Sequence, residues 1–207
     1  MPSNDSLLVA KCATEMKNLV IVVIAAAACS KSAKQESASA PAVTIDPAAV
    51  NALVPAELKA KLVFDKTDVI EERGKDKLTF TVAAPKGWKQ DNKMFATLKG
   101  GDDVGFMTQM HVASDCDGSC EPKDWAKSAD KTVFDQFKDA GVVKNETTPS
   151  SRLLIATRDK TTFVAYAWWQ PDARHYHFCM VTLEEPVAAA APAFAKACQA
   201  VNIEGEH

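Results

Sequence analysis

Hydrophobic positions along the chain repeat with two periods, one typical of helices and one typical of strands. Between positions 122 and 140, apolar side chains recur every four residues: Trp125, Ala129, Val133 and Phe137. This spacing gives a helix one apolar stripe, with Pro122 suited to its first turn and Gly141 to its end. A second helix is predicted to run to about Ile203, with its start or a kink at Pro192.

Alternating or continuous apolar runs predict β-strands on both sides of the first helix. The predicted strands cover positions 68–73, 78–82, 93–99, 104–112, 152–157, 161–169 and 173–183. Short turn sequences such as Gly100-Gly101-Asp102-Asp103 separate neighbouring runs, and connections this short join antiparallel strands. Weaker helical signals between 47 and 64 are interrupted by Pro55.

The order of these elements, strands, helix, strands and helix, predicts an α+β fold. Two amphipathic helices need an apolar surface to cover, and an antiparallel sheet provides one. We therefore expect a single domain from 46 to 207, in which a sheet of about six or seven strands packs against two main helices.

A run of ten apolar residues, Leu19 to Ala28, ends directly at Cys29. The run is too short to span a bilayer, which takes about 20 residues, but it suits the apolar core of an export signal. Residues 1–28 are therefore predicted to be a signal peptide, with Met16 as an alternative start. Residues 29–45, rich in Ser, Ala and Lys, are predicted to be a flexible tether.

The four residues Ala26-Ala27-Ala28-Cys29 resemble the lipobox of bacterial lipoproteins. That resemblance implies that Cys29 is lipidated and becomes the mature N-terminus. Ser30 then implies an outer-membrane position facing the periplasm. Leu usually stands where this chain has Ala26, so the alternative is ordinary cleavage after Ala27 or nearby and a secreted protein with an unmodified Cys29.

The segment from Phe80 to Trp88, which ends in Pro85-Lys86-Gly87-Trp88, resembles the opening of PsbP-like domains. The element order after this segment is also similar to theirs. Because PsbP-like domains include accessory proteins without enzymatic activity, the resemblance implies a role in binding or assembly. It carries over no functional residue.

Four cysteines of the predicted domain form an even set in an exported chain, which predicts disulfides. They are Cys116, Cys120, Cys179 and Cys198. Three connectivities are possible, and the local pairs Cys116–Cys120 and Cys179–Cys198 are favoured. The first pair flanks a turn sequence, and the second joins a predicted strand to the helix expected to pack on it.

His175 and His177 lie two residues apart in a predicted strand, so their side chains share one face with Cys179. This set is a candidate zinc or copper site, which His111 could join only from a neighbouring strand. The alternative is a polar strand end with Cys179 oxidised in a disulfide, which export favours.

The predicted strand 161–169 has apolar side chains on both faces. Tyr166 and Trp168 share one face, while Phe163 and Trp169 share the other. Such a pattern is typical of a central strand covered on both sides. Alternatively, the face with Tyr166 and Trp168 lines a groove for an apolar ligand or a partner protein.

Charge and missing motifs limit the candidate functions. The formal net charge is −3, which argues against a nucleic-acid partner. The sequence holds no Gly-x-Ser-x-Gly, His-Glu-x-x-His or phosphate-binding glycine loop, so no catalytic residue and no cofactor is assigned. We expect a non-enzymatic envelope lipoprotein that binds a protein partner or a small apolar ligand. The alternatives are an envelope metal-binding protein and an exported hydrolase.

Overall fold

The fold is that of a computed structural model, which describes residues 43–115, 124–170 and 175–206. These residues lie within one compact unit, Ser39–His207. The predicted signal peptide, the lipidation of Cys29 and the Cys116–Cys120 pair fall outside the described residues. Within those ranges, no helix is long and apolar enough to cross a membrane.

Ten β-strands are found in the described ranges. They are β1 (Phe64–Arg73), β2 (Asp76–Pro85), β3 (Lys89–Gln90), β4 (Thr97–Lys99), β5 (Gln109–Asp115), β6 (Gly141–Thr147), β7 (Ser151–Arg158), β8 (Thr161–Trp169), β9 (Tyr176–Glu184) and β10 (Asn202–Glu206). Three strands form one sheet in the order β1-β2-β10, and seven form another in the order β3-β4-β5-β9-β8-β7-β6. All strand pairs in both sheets are antiparallel. The predicted α+β class is confirmed, and a second, smaller sheet adds to the expected one.

Helices pack on these sheets. They are α1 (Pro47–Asn51), α2 (Trp125–Ala129) and α3 (Ala191–Cys198). α2 continues without a break into a π-helical turn, Asp130–Phe134, and a 3₁₀ turn, Asp135–Phe137. The predicted amphipathic helix is therefore confirmed from 125 to 137, and its apolar stripe is buried. Further 3₁₀ turns lie at Ala56–Leu58, Asp102–Val104 and Ala188–Ala190.

The seven-stranded sheet is covered on both faces, which makes a three-layered domain. One face packs against α3 and the three-stranded sheet in a core that includes Phe80, Val112, Val164, Val181 and Phe194. The other face lies under the helical segment 125–137 in a second core that includes Ala113, Val133, Phe137, Ala165 and Phe178. Because β8 and β9 are central strands between these layers, both of their faces are apolar.

A disulfide joins two of these layers. Cys179 of β9 is bonded to Cys198 of α3, with an S–S distance of 2.01 Å and Cα atoms 5.4 Å apart. Both residues are fully buried in the first core. The predicted pairing of Cys179 with Cys198 is confirmed, and the bond fixes α3 to the seven-stranded sheet.

Several elements differ from the sequence-based expectation. Strand β3 was not predicted, and only Thr97–Lys99 of the predicted strand 93–99 is found, as β4. The last helix ends at Cys198, and the stretch predicted to continue it to Ile203 enters strand β10, which pairs with β2. Strand β6 was not expected, because all seven of its residues are exposed and its pattern lacks a buried face. The predicted strand 104–112 begins only at Gln109, since a 3₁₀ turn and a tight loop occupy the preceding positions.

Candidate functional site

Polar and aromatic side chains gather at one end of the seven-stranded sheet, where β5 and β8 end and β9 begins. In the strand register, His177 lies opposite Ser114 on one side and opposite Trp168 on the other. Directly opposed residues of antiparallel strands point to the same face. These three side chains therefore lie together on the face turned toward the three-stranded sheet.

Ser114 and His177 form a buried hydrogen-bonded pair. The Ser114 Oγ lies 2.6 Å from Nδ1 of His177, and each residue is only 3% exposed. The Trp168 ring packs against the imidazole with ring centroids 5.5 Å apart. A hydroxyl and an imidazole at this distance match the spacing of a nucleophile and its base. At this exposure, however, the pair has no surface for a substrate to contact.

Glu71 brings a carboxylate from the other sheet to the same place. It is 3% exposed, lies opposite buried Leu78 on the inward face of β1, and pairs with the Arg73 guanidinium. Burial raises the pKa of Glu71. The Arg73 guanidinium and the Ser114 backbone N–H, which donates to the carboxylate, lower this pKa by smaller amounts. Glu71 thus connects the two sheets beside the Ser114–His177 pair.

The position of β4 explains why the Ser114 N–H donates to the Glu71 carboxylate. β4 begins at Thr97, which lies opposite His111, and the Ala96 carbonyl accepts the next N–H of β5, from Val112. The N–H of Ser114 lies beyond the last residue that β4 can pair. The Glu71 carboxylate accepts this N–H where the strand has run out, so a buried backbone donor is satisfied.

The predicted metal ligands are only partly brought together. His177 bonds to Ser114, and the Cys179 sulfur is held in the disulfide, so it is not available as a thiolate ligand. His111 does lie on the strand next to β9, but it faces the opposite side of the sheet, where its ring contacts Phe178. His175 directly precedes β9 and is half-buried. Among the described residues, no three His, Cys, Asp or Glu side chains are grouped as a metal site.

Tyr166 and Trp168 stack on each other along β8, with ring centroids 5.3 Å apart. Trp168 belongs to the first core and is 9% exposed, and Tyr166 is half-buried beside it. Burial raises the pKa of the Tyr166 phenol, and a hydrogen bond with Ser151 partly offsets this. β8 thus has the covered faces of a central strand, and the pair contributes to packing at the end of the sheet.

A second polar group lies on the opposite face of the same sheet end. The Tyr176 hydroxyl donates to Oδ2 of Asp115 at 3.3 Å, and Thr132 of the helical segment lowers the pKa of this phenol through a hydrogen bond. Burial is the main cause that raises the pKa of this phenol.

A small cavity lies between the helical segment 125–134 and the turn 147–149. Its volume is about 150 Å³, and Arg152 forms one wall. The guanidinium lies 4.3 Å from the centroid of the Phe134 ring and forms an ion pair with Asp130. The cavity is lined mainly by apolar side chains with one charged wall, which suits a small apolar ligand with a polar end.

Sequence reasoning found part of this arrangement. It placed Tyr166 with Trp168, and His177 with Cys179, on shared strand faces, and the register confirms both placements. It missed Glu71, Ser114 and Arg152. None of these three residues stands in a motif, and their partners come from distant parts of the chain.

Comparisons with known proteins add little to this geometry. No protein-family model matches the chain, and no curated protein matches it. Among solved structures, the chain is similar to the Ran-binding protein Mog1p of Saccharomyces cerevisiae, at 10% sequence identity and a TM-score of 0.42, over 68% of this chain and 95% of that one. A similarity this low carries no argument about the function of the present chain.

Proposed function

We propose that the chain is an exported, lipid-anchored protein of the bacterial cell envelope that binds a partner or a small apolar ligand and has no enzymatic activity. The observation that carries this proposal is the buried Cys179–Cys198 disulfide. Disulfides form and persist in oxidising compartments and are rare in the cytosol. The bond therefore agrees with the export signal predicted ahead of Cys29.

Lipidation at Cys29 would leave a short tether before the folded domain. The described chain begins at Val43, fourteen residues after Cys29. Fourteen extended residues span at most about 50 Å. A domain on such a tether stays close to the membrane surface and can reach partners in the envelope.

Binding is favoured over catalysis because Ser114 and His177, the pair of described residues with the spacing of a nucleophile and its base, are closed to substrate. Ser114 and His177 are each 3% exposed, and their hydrogen bonds are used within the fold. By contrast, the cavity beside Arg152 is open at the surface and mainly apolar. We propose this cavity as the site for a small ligand.

The test is intact mass and membrane fractionation of the chain expressed in a bacterium, with Cys29→Ala as the matched variant. We expect a chain that starts at Cys29, carries a diacyl or triacyl mass and sediments with membranes. The variant should lose the acyl mass. A soluble, unmodified chain cut near Ala27 would instead establish a secreted protein and refute the anchor.

A further inference from the structure

The loop between β4 and β5 holds a phenylalanine out in solvent. Phe106 is 85% exposed and its neighbour Met107 is 51% exposed. Large apolar side chains exposed to this extent carry a cost in water unless something covers them. The two residues form an apolar tip that projects from one end of the domain, and they are called the tip below.

The backbone of the tip is fixed by contacts on both sides. Gly105 has φ of 101°, and a Cβ at this position would lie 2.8 Å from Oε2 of Glu184. That same carboxylate oxygen accepts the Met107 N–H at 3.1 Å. The Thr108 hydroxyl, in turn, donates to the Val104 carbonyl at 2.7 Å and accepts the Glu184 N–H at 3.2 Å. The exposed side chains are thus presented by a well-connected loop.

The tip loop is connected to the segment that follows α1, the first helix of the described chain. The side chain of Asn51, the last residue of α1, exchanges two hydrogen bonds with the backbone of Phe64, at 2.9 and 2.7 Å. The Nζ of Lys61, three residues before Phe64, donates to the Asp103 carbonyl in the tip loop at 3.4 Å. Further exposed apolar side chains, Leu53 and Val63, lie along this path from α1 to the tip.

We infer that this end of the domain contacts the lipid bilayer, with Phe106 and Met107 inserted at the membrane surface. The inference rests on the proposed anchor, which would hold the domain near a bilayer, and on the exposure of the tip, which selects the end that meets it. A projecting loop with two apolar side chains fits a fluid lipid surface, which closes around it and buries both. Exposed Asp102 and Asp103 lie in the same loop and offset Lys59 and Lys61. We therefore expect insertion driven by apolar contact, with weak dependence on salt.

The test places one indole at the tip of the full-length chain. A Phe106→Trp variant is incorporated into vesicles of phosphatidylcholine with brominated acyl chains, which quench a tryptophan that enters the membrane. The matched control is Phe95→Trp, since Phe95 is 49% exposed but precedes β4 at its opposite end. We expect bromine-dependent loss of the added emission for position 106, and no loss for position 95. Unquenched emission at 106, or equal quenching at both positions, would overturn the inference.

The mass of the same preparations separates this inference from the anchor. Acylation at Cys29 without quenching at position 106 would refute the membrane contact and leave the anchor intact. Quenching at 106 on an unmodified chain would refute the anchor, while the tip itself would remain a membrane-binding surface.

Discussion

At the scale of single residues, Glu71 shows how one buried side chain replaces a missing strand. Its carboxylate accepts the Ser114 N–H at the place where β4 no longer reaches β5. This role needs an acceptor oxygen but does not need a charge. Burying the charge is costly, and Arg73, whose side chain is 50% exposed, offsets only part of that cost.

We therefore expect Glu71→Gln to leave the protein at least as stable at pH 7, with a gain of up to about 1 kcal/mol. The amide oxygen can still accept the Ser114 N–H. Because the pKa of Glu71 is raised in the fold, wild-type stability rises as pH falls through that folded pKa toward the ordinary value of about 4.3. The advantage of the variant should be larger at pH 7 than below about pH 4, where it should disappear. Urea unfolding at both pH values measures it.

The matched control for this prediction is Glu72→Gln. Glu72 carries the same charge on the next residue, with its side chain 40% exposed in an ion pair with Lys93. It should change stability by less than about 0.5 kcal/mol. A clear loss of stability in Glu71→Gln at pH 7 would mean that the Arg73 pair outweighs the cost of burial.

The sequence predicts which side chains of one strand share a face, but it does not predict which residues of different strands lie next to each other. The alternation of β9 is enough to place His177 and Cys179 on one face. No local pattern reveals that Ser114 lies opposite His177 or that Glu71 comes from another sheet. These contacts depend on the register of strands far apart in sequence, which a single sequence does not contain.

At the scale of elements, predictability follows burial. β8 is found with the predicted bounds, Thr161–Trp169, because a strand covered on both faces is strongly apolar. The edge strands β6 and β10 were missed. β6 is exposed throughout, and β10 follows a real helix closely enough to be taken for its last turns. Edge strands are defined by their neighbours more than by their own composition.

β10 depends on one glycine. Gly205 has φ of 126°, and a Cβ there would overlap the carbonyl oxygen of Lys77 on β2. We expect Gly205→Ala to cost about 3 kcal/mol or more, because the backbone strain and the overlap both act against pairing of β10 with β2. Thermal and urea unfolding of the variant measure this loss.

Gly74 is the matched control, since it also has a positive φ, 66°, but open space around the added Cβ. Gly74→Ala should cost only about 1 kcal/mol, the penalty of the left-handed conformation alone. Equal losses in the two alanine variants would show that crowding against β2 does not matter and that backbone conformation explains both.

At the scale of the whole molecule, the two ends of the sheets have different surfaces. One end carries the tip and Lys61, which reaches the Asp103 carbonyl of the same loop. The other end carries the polar group of Glu71, Ser114 and His177, with exposed Met94 and Phe95 nearby on the approach to β4. If the tip end faces a membrane, as inferred above, the polar end faces the surrounding compartment. An envelope partner would then meet that end first.

The disulfide links this whole arrangement to the compartment proposed for the protein. It closes a loop with a sequence separation of 19 and fixes α3, which contacts strands of both sheets, to β9. Closing a loop of this length with a disulfide adds about 3 kcal/mol to the free energy of unfolding in the chain-entropy model. We expect the double variant Cys179→Ala/Cys198→Ala to lose about this amount in urea unfolding under oxidising conditions. Wild-type protein kept in reductant should lose at least as much, and the double variant should respond to reductant less than wild type. Unchanged stability in the double variant would mean that core packing alone holds α3 in place and that the disulfide adds no net stability.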